Sequence, residues 1–329
     1  MAILGAKGGT DGIPNMIFTA TETWSPNKTV QAYVYCIGAG GSGAGGGATV
    51  NYGFSGGGAG GCAVSLLKLT AGVTYTATIG AGGAVAGGTT QAAGNDGGNT
   101  TFNGSDIDIM TGNGGSGGAV QSAGSAASAS GGSASGGNLM NNTGGASLAS
   151  SYTKYVTGGG AVGLWDTGRQ GSRAQGSIDG YADGGNLSGP PITTSDVGGA
   201  TDVRYGAPGA QFVAGAPFPE IYSVTSSDLR SRSDTVCDVN VSFQPAGVQP
   251  YSNNGRDISY SANVKTYPAP PFSGGVGHLS DDNDYISGGA ATLGGGGGAC
   301  YNYYSSLSAS GKGGKGGMGA VLIFPTSIG

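Results

Sequence analysis

The sequence predicts a mostly β protein in which strands from both ends of the chain join a bundle of polyglycine II helices carrying long irregular inserts. Three observations predict it. Glycine accounts for 74 of 329 residues, about three times the usual ~7%. The glycines fall in irregular blocks with only 13 prolines, which excludes the strict triplet repeat of collagen. Blocks of Val, Ile, Leu, Tyr and Phe lie directly beside the glycine runs, and 37% of the chain is hydrophobic, which argues against disorder. Glycine lacks a Cβ, so extended backbones can approach side by side. Such segments hold no internal hydrogen bonds and must satisfy their N–H and C=O groups on one another.

The elements follow in order. Residues 1–17 read as an N-terminal arm, with no charged n-region ahead of an apolar h-region. Met16–Ala20 is the first strand signal, and Thr23-Trp24-Ser25-Pro26 reads as a turn. Val30–Ile37 is rich in β-formers without clean alternation, as a strand buried on both faces should be. It runs into the block Gly38–Gly47. A second block ends at Gly61 and leads into the strand Cys62–Leu69. Val73–Ile79 alternates as a half-buried strand, and Asn99–Asn103 is a short one. Further blocks are Gly56–Gly61, Gly80–Gly88, Gly112–Gly118, Gly294–Gly298 and Gly311–Gly319. Met318–Pro325 closes the chain as an apolar strand, and the simplest closure pairs it with the early strands.

Glycine density divides the chain. Residues 18–118 and 288–329 form the β/polyglycine core, and 119–208 are glycine-rich segments with loops. Residues 209–287 form a Gly-poor insertion with seven glycines, 12 of the 31 charged residues and nine of the 26 aromatics, with a hairpin expected near Val236–Phe243. Long ordered loops are usually functional.

Charge and motifs narrow the chemistry. With 13 Lys and Arg and a net charge of −5, no basic stripe for nucleic acid is expected. No stretch is apolar for long enough to cross a membrane as a helix. Gly38–Gly43 fits the dinucleotide fingerprint, but no helix can open in the glycines behind it and no acid follows at the required spacing. Gly114–Gly118 matches a nucleophile elbow without the helix that motif needs. Asp179 and Asp183 are acids of the kind glycosidases pair, with nothing to place them across a cleft. His278 with Asp281, Asp282 and Asp284 could hold a hard cation or could be a solvated acidic loop, and the loop is the preferred reading. The expectation is therefore no enzyme, no cofactor and no metal. Cys36, Cys62, Cys237 and Cys300 show no metal spacing; they read as buried thiols, with a Cys36–Cys62 disulfide as the alternative. Candidate contact residues are the aromatics outside the glycine blocks: Tyr155, Trp165, Tyr222, Tyr251, Tyr260, Tyr267, Tyr301, Tyr303 and Tyr304. Tyr and Trp offer large contact area at low rotamer cost. The alternative for each is a place in a small satellite core.

The order Thr23-Trp24-Ser25-Pro26, VQAYVYCIGAGGSGAGGG, GGGAGGCAVSLLKLTAGVTYTATIGAGG and GKGGKGGMGAVLIF resembles the glycine-rich domain of bacteriophage tail-fibre and tail proteins, and is similar to the distal adhesins of T-even phages. The resemblance implies a virion protein assembled in the bacterial cytoplasm, presenting the loops 119–157, 161–205, 209–287 and 300–310 to a host surface glycan or outer-membrane protein. It implies homo-oligomers, a trimer being the usual fibre state, and contacts with other tail proteins. The alternative is a structural virion component, such as a fibre segment, tail cap or capsid decoration, whose inserts join subunits.

Overall fold

The computed structural model describes residues 2–3, 15–47, 52–122, 127–149, 155–164, 166–171, 173–175, 180–182, 184–185, 196–198, 272–275, 277–280, 285–302 and 310–326. Among them there is no helix; every regular element is a strand.

Two antiparallel sheets form one end of the molecule. The first runs in the order Ala2–Ile3, Met16–Phe18, Ala320–Thr326, Val30–Ile37, Cys62–Leu69, Met140–Asn142. The last strand of the chain thus lies between the two N-terminal ones, with Val321 opposite Cys36 and Phe18. Pro325 pairs with Ala32 on one side, but the neighbouring strand on the other side ends its pairing at Ile323. A proline has no N–H to give a second neighbour there. The second sheet runs Ala134–Ser135, Ile107–Gly112, Thr100–Gly104, Tyr75–Thr78, Glu22–Trp24. Thr23 and Trp24 therefore lie in a strand, paired with Thr76 and Tyr75, where the sequence suggested a turn. The Ser-Pro pair signals a turn that begins only after Trp24.

Val30–Ile37 shows why alternation was absent. Val30, Ala32, Val34 and Cys36 face the core shared with the second sheet, beside Phe18, Phe102 and Met110. Tyr35 and Ile37 face a different core with Val162, Leu164, Phe272 and Leu322. Both faces are covered, so both are apolar.

Beyond Ile37 the chain enters the glycine bundle, where hydrogen bonding changes partner with a period of three residues. Gly38, Gly41 and Ala44 donate to Gly61, Gly58 and Ser55. Ala39, Ser42 and Gly45 donate to Gly98, Asn95 and Ala92, while Gly40 and Gly43 donate to Gly317 and Gly314. In return Gly115 and Gly118 donate to Ala39 and Ser42, Gly297 and Cys300 to Gly41 and Ala44, and Gly83 to Gly40. Run 38–45 is thereby surrounded by six neighbours. Runs 56–61, 158–162 and 294–299 are interior in the same way. The close approach explains the composition: a Cβ on Gly40 would strike the carbonyl of Gly295, and one on Gly43 that of Gly298.

The bundle reaches into segments that the sequence analysis assigned to inserts. Within 119–157, Ala129, Gly132, Gly144, Gly145 and Ser147 are buried and bonded into it. Within 161–205, Ala161 accepts from Gly145 and Gly185 donates to Gly159. Pairs of glycines among Ala and Ser suffice for one bundle strand. The Gly-poor insertion also ends earlier than residue 287: Ser273, Gly274 and Gly275 are buried in the bundle, and Gly277–Ser280 pairs with Cys300–Asn302. The expected hairpin near 236–243 lies outside the described residues.

Candidate functional site

The far end of the bundle is closed by three small sheets. One runs Val120–Ser122, Tyr52–Phe54, Tyr155–Thr157, Arg173–Gln175, Asp196–Gly198. The second runs Gly180–Ala182, Gly277–Ser280, Cys300–Asn302, Gly45–Gly47, and the third Tyr285–Ser287, Ser310–Lys312, Gly87–Gly88. Apart from Asp196–Gly198, these strands extend runs of the bundle, and their ends gather at this end. The flanking residues Gly47 and Tyr52, Ser122 and Ala127, Ala149 and Tyr155, Gln175 and Gly180, Ser280 and Tyr285, and Asn302 and Ser310 all lie on the far side of the bundle from the terminal strands. The long insertion has its flanks at opposite ends: Gly198 stands at the far end, and Phe272 sits in the core beside the first sheet.

An aromatic plug anchors the far end. Phe54 and Tyr301 pack with ring centroids 4.9 Å apart, Tyr52 lies 6.2 Å from Phe54, and Val156, Ala182 and Ala299 complete the cluster. Tyr155 lays its ring over Gly53, where a side chain would collide with it.

This placement decides two of the candidate contact residues. Tyr155 and Tyr301 are both 0% exposed, so their rings belong to satellite packing and are not offered to a partner. Burial pushes both phenols up to about 12; beside Tyr155 the charge of Arg173 works in the opposite direction, and Tyr301 is partly offset by a backbone hydrogen bond at Tyr52. Trp165, Tyr222, Tyr251, Tyr260, Tyr267, Tyr303 and Tyr304 lie outside the described residues. Tyr52 and Phe54 were not singled out from sequence; aromatic residues beside a single glycine are the signal that could have found them.

His278 is 3% exposed, and its backbone N–H donates to the Ala299 carbonyl at 2.9 Å. Asp281, Asp282 and Asp284 lie outside the described residues, among which no group of three potential ligands gathers. Cys36, Cys62 and Cys300 are buried free thiols. Cys36 lies opposite Ala63 and Cys62 opposite Ile37, so the two cysteines occupy opposite faces of one sheet and head different cores. This removes the disulfide alternative. Burial raises the Cys36 thiol to about 12 and pushes Cys62 and Cys300 well up. Such thiols are protonated packing groups at ordinary pH.

Side chains also finish the bundle where no further run lies beside it. Asp96 Oδ1 accepts from the Gly117 N–H at 2.7 Å, and Asn99 Oδ1 accepts from the Gly114 N–H at 2.9 Å. Ser42 Oγ does the same for the Asn95 N–H at 2.8 Å inside the bundle.

A family model described as a glycine-rich domain matches residues 18–324, from the second strand of the first sheet to the closing strand. The chain belongs to the glycine-rich domain family. The matched span takes in the second sheet, the bundle, the far-end strands and most of the first sheet, whose strand Ala2–Ile3 precedes it. A search of curated proteins gives no significant match to this glycine-rich domain.

Proposed function

We propose that this glycine-rich domain is a non-enzymatic bacteriophage virion protein, a tail-fibre or tail-tip adhesin that presents its connecting segments to a host surface glycan or outer-membrane protein. The carrying observation is polarity. Ala2–Ile3 and Ala320–Thr326 lie in the sheet at one end, whereas the residues flanking six connections between runs lie at the other. A molecule attached through its terminal strands would hold those connections outward. The bundle between is suited to bearing load, because each interior run is bonded to six neighbours through its backbone. We infer that these runs are polyglycine II helices; the three-residue alternation of partners supports this reading.

Two variants test the proposal. One replaces residues 205–268 with a short Gly-Ser linker, leaving Ser273–Gly275 and Gly277–Ser280 in the bundle. The other replaces 303–309, which holds Tyr303 and Tyr304. Each is labelled and applied to a panel of bacterial cells. Loss of cell binding with an unchanged melting temperature is the expected result. A wild-type chain that binds no cell surface, and that immunogold places inside the particle, points instead to a structural virion component and removes the adhesin role.

A further inference from the structure

The first sheet turns one face to the core shared with the second sheet, and its other face is covered only in part. Strand register arranges that face in levels. Tyr35, Val64 and Leu322 are level with one another and buried beside Leu164 and Phe272. One step farther from the bundle, about 7 Å along the strands, Tyr33, Leu66 and Phe324 are level and only half-buried. The next level ends the face, with Gln31 and Lys68 exposed. An apolar strip one level deep thus lies between a covered core and a polar rim.

Phe272 stands at the border of that strip. It is the first described residue after the long insertion, and it is buried in the cluster against which Tyr33 and Phe324 pack. Its φ is 67°, the only positive value among the described residues other than glycine. A bulky residue keeps such a backbone only where its surroundings hold it there. On the C-terminal side the Phe272 carbonyl accepts from the Val162 N–H at 2.8 Å, and Ser273, Gly274 and Gly275 are buried in the bundle. On the N-terminal side the hold falls to the sequence Ala269-Pro270-Pro271.

We propose that Ala269, Pro270 and Pro271 cover this strip and fasten the end of the insertion to the first sheet. Three extended residues span about 9 Å, enough to cross one level. Their chemistry suits the place. Proline has no N–H, so Pro270 and Pro271 lie on an apolar face without burying an unpaired donor. The ring also fixes φ in advance, so little freedom is lost on docking. Proline-rich segments dock on aromatic-lined surfaces for these reasons. Tyr33, Tyr35 and Phe324 supply such a surface here, with the rings of Tyr35 and Phe324 edge to face at 5.8 Å. The insertion is thereby anchored at the end of the molecule that carries the terminal strands, whatever its other residues contact. This inference does not depend on the adhesin reading.

Nitration of individual tyrosines by tetranitromethane, read by peptide mass spectrometry on the full chain, tests the cover. Tyr33 should react slowly in the wild type and about tenfold faster in the chain carrying Pro270→Ser and Pro271→Ser, where the local contact is lost. Tyr35, one level deeper, should stay unreactive in both and so reports that the sheet is intact. Where the double variant fails to fold, Tyr35 reacts as well, and the comparison is read on Pro270→Ser alone. The chain with 205–268 replaced by a Gly-Ser linker keeps Ala269, Pro270 and Pro271, so its Tyr33 should remain as slow as in the wild type. A wild-type Tyr33 that reacts as fast as in the urea-unfolded chain overturns the proposal. So does an equal rate in the wild type and the folded proline variants. A faster rate in the 205–268 replacement assigns the cover to another part of the insertion and overturns it as well.

Discussion

At the residue scale, the absence of one carbon atom decides what the interior tolerates. Gly40→Ala or Gly43→Ala forces a methyl group onto a facing carbonyl, of Gly295 or Gly298, that is fixed by its own bonds. Each should cost about 1–3 kcal/mol, the range for overpacking, read as a fall in melting temperature. Ala84→Ser, at an exposed position of run 80–86, is the control and should leave stability unchanged. Asn99→Ala strips the acceptor from the Gly114 N–H and should cost about 1 kcal/mol in urea unfolding. The titrating groups set a pH limit. Cys36 has an ordinary pKa of 9.0 and is held up to about 12; Tyr155 is raised from 10.0 to about 12. The folded chain keeps protons that the unfolded chain releases. Their contribution is therefore complete below about pH 9 and falls as pH rises toward 12. Stability measured from pH 7 to 11 should decline only above 9, and a chain whose stability rises there contradicts the burial of these groups.

At the scale of elements, the far-end plug should behave as a local unit. Phe54→Ala removes the ring packed against Tyr301 and should cost about 3–5 kcal/mol, with faster amide exchange in Tyr52–Phe54 and Cys300–Asn302 than in the first sheet. Tyr155→Phe is the contrast. Its buried Oη has no hydrogen-bond partner among the described residues, so losing it should be neutral or stabilising. The strands Val30–Ile37 and Cys62–Leu69 were legible to the residue, because β-formers stop abruptly at glycine. Ile107–Gly112 was not singled out: Asp106 and Asp108 interrupt its β-formers, and its place is set by antiparallel pairing with Thr100–Gly104. Glu22–Trp24 was obscured in the same way by the Ser-Pro that follows it.

At the scale of the whole molecule, sequence and tertiary structure divide the answer between them. The glycine content by itself required backbones in contact, since no other packing compensates for ordering so many residues without side chains. The apolar closing segment by itself called for burial, most simply against the early strands, and it finds Val30–Ile37 and Met16–Phe18. Which runs touch was not in the sequence. Any glycine run can bond to any other, so the choice of Gly61, Gly98 and Gly317 as neighbours of run 38–45 depends on how the strands at each end fix position and direction. Nor could composition tell a loop from a bundle strand at 127–149, because two glycines suffice when the surrounding runs are already in place. The burial of Tyr155 and Tyr301 is decided the same way: by long-range backbone pairing, to which no local pattern of residues corresponds.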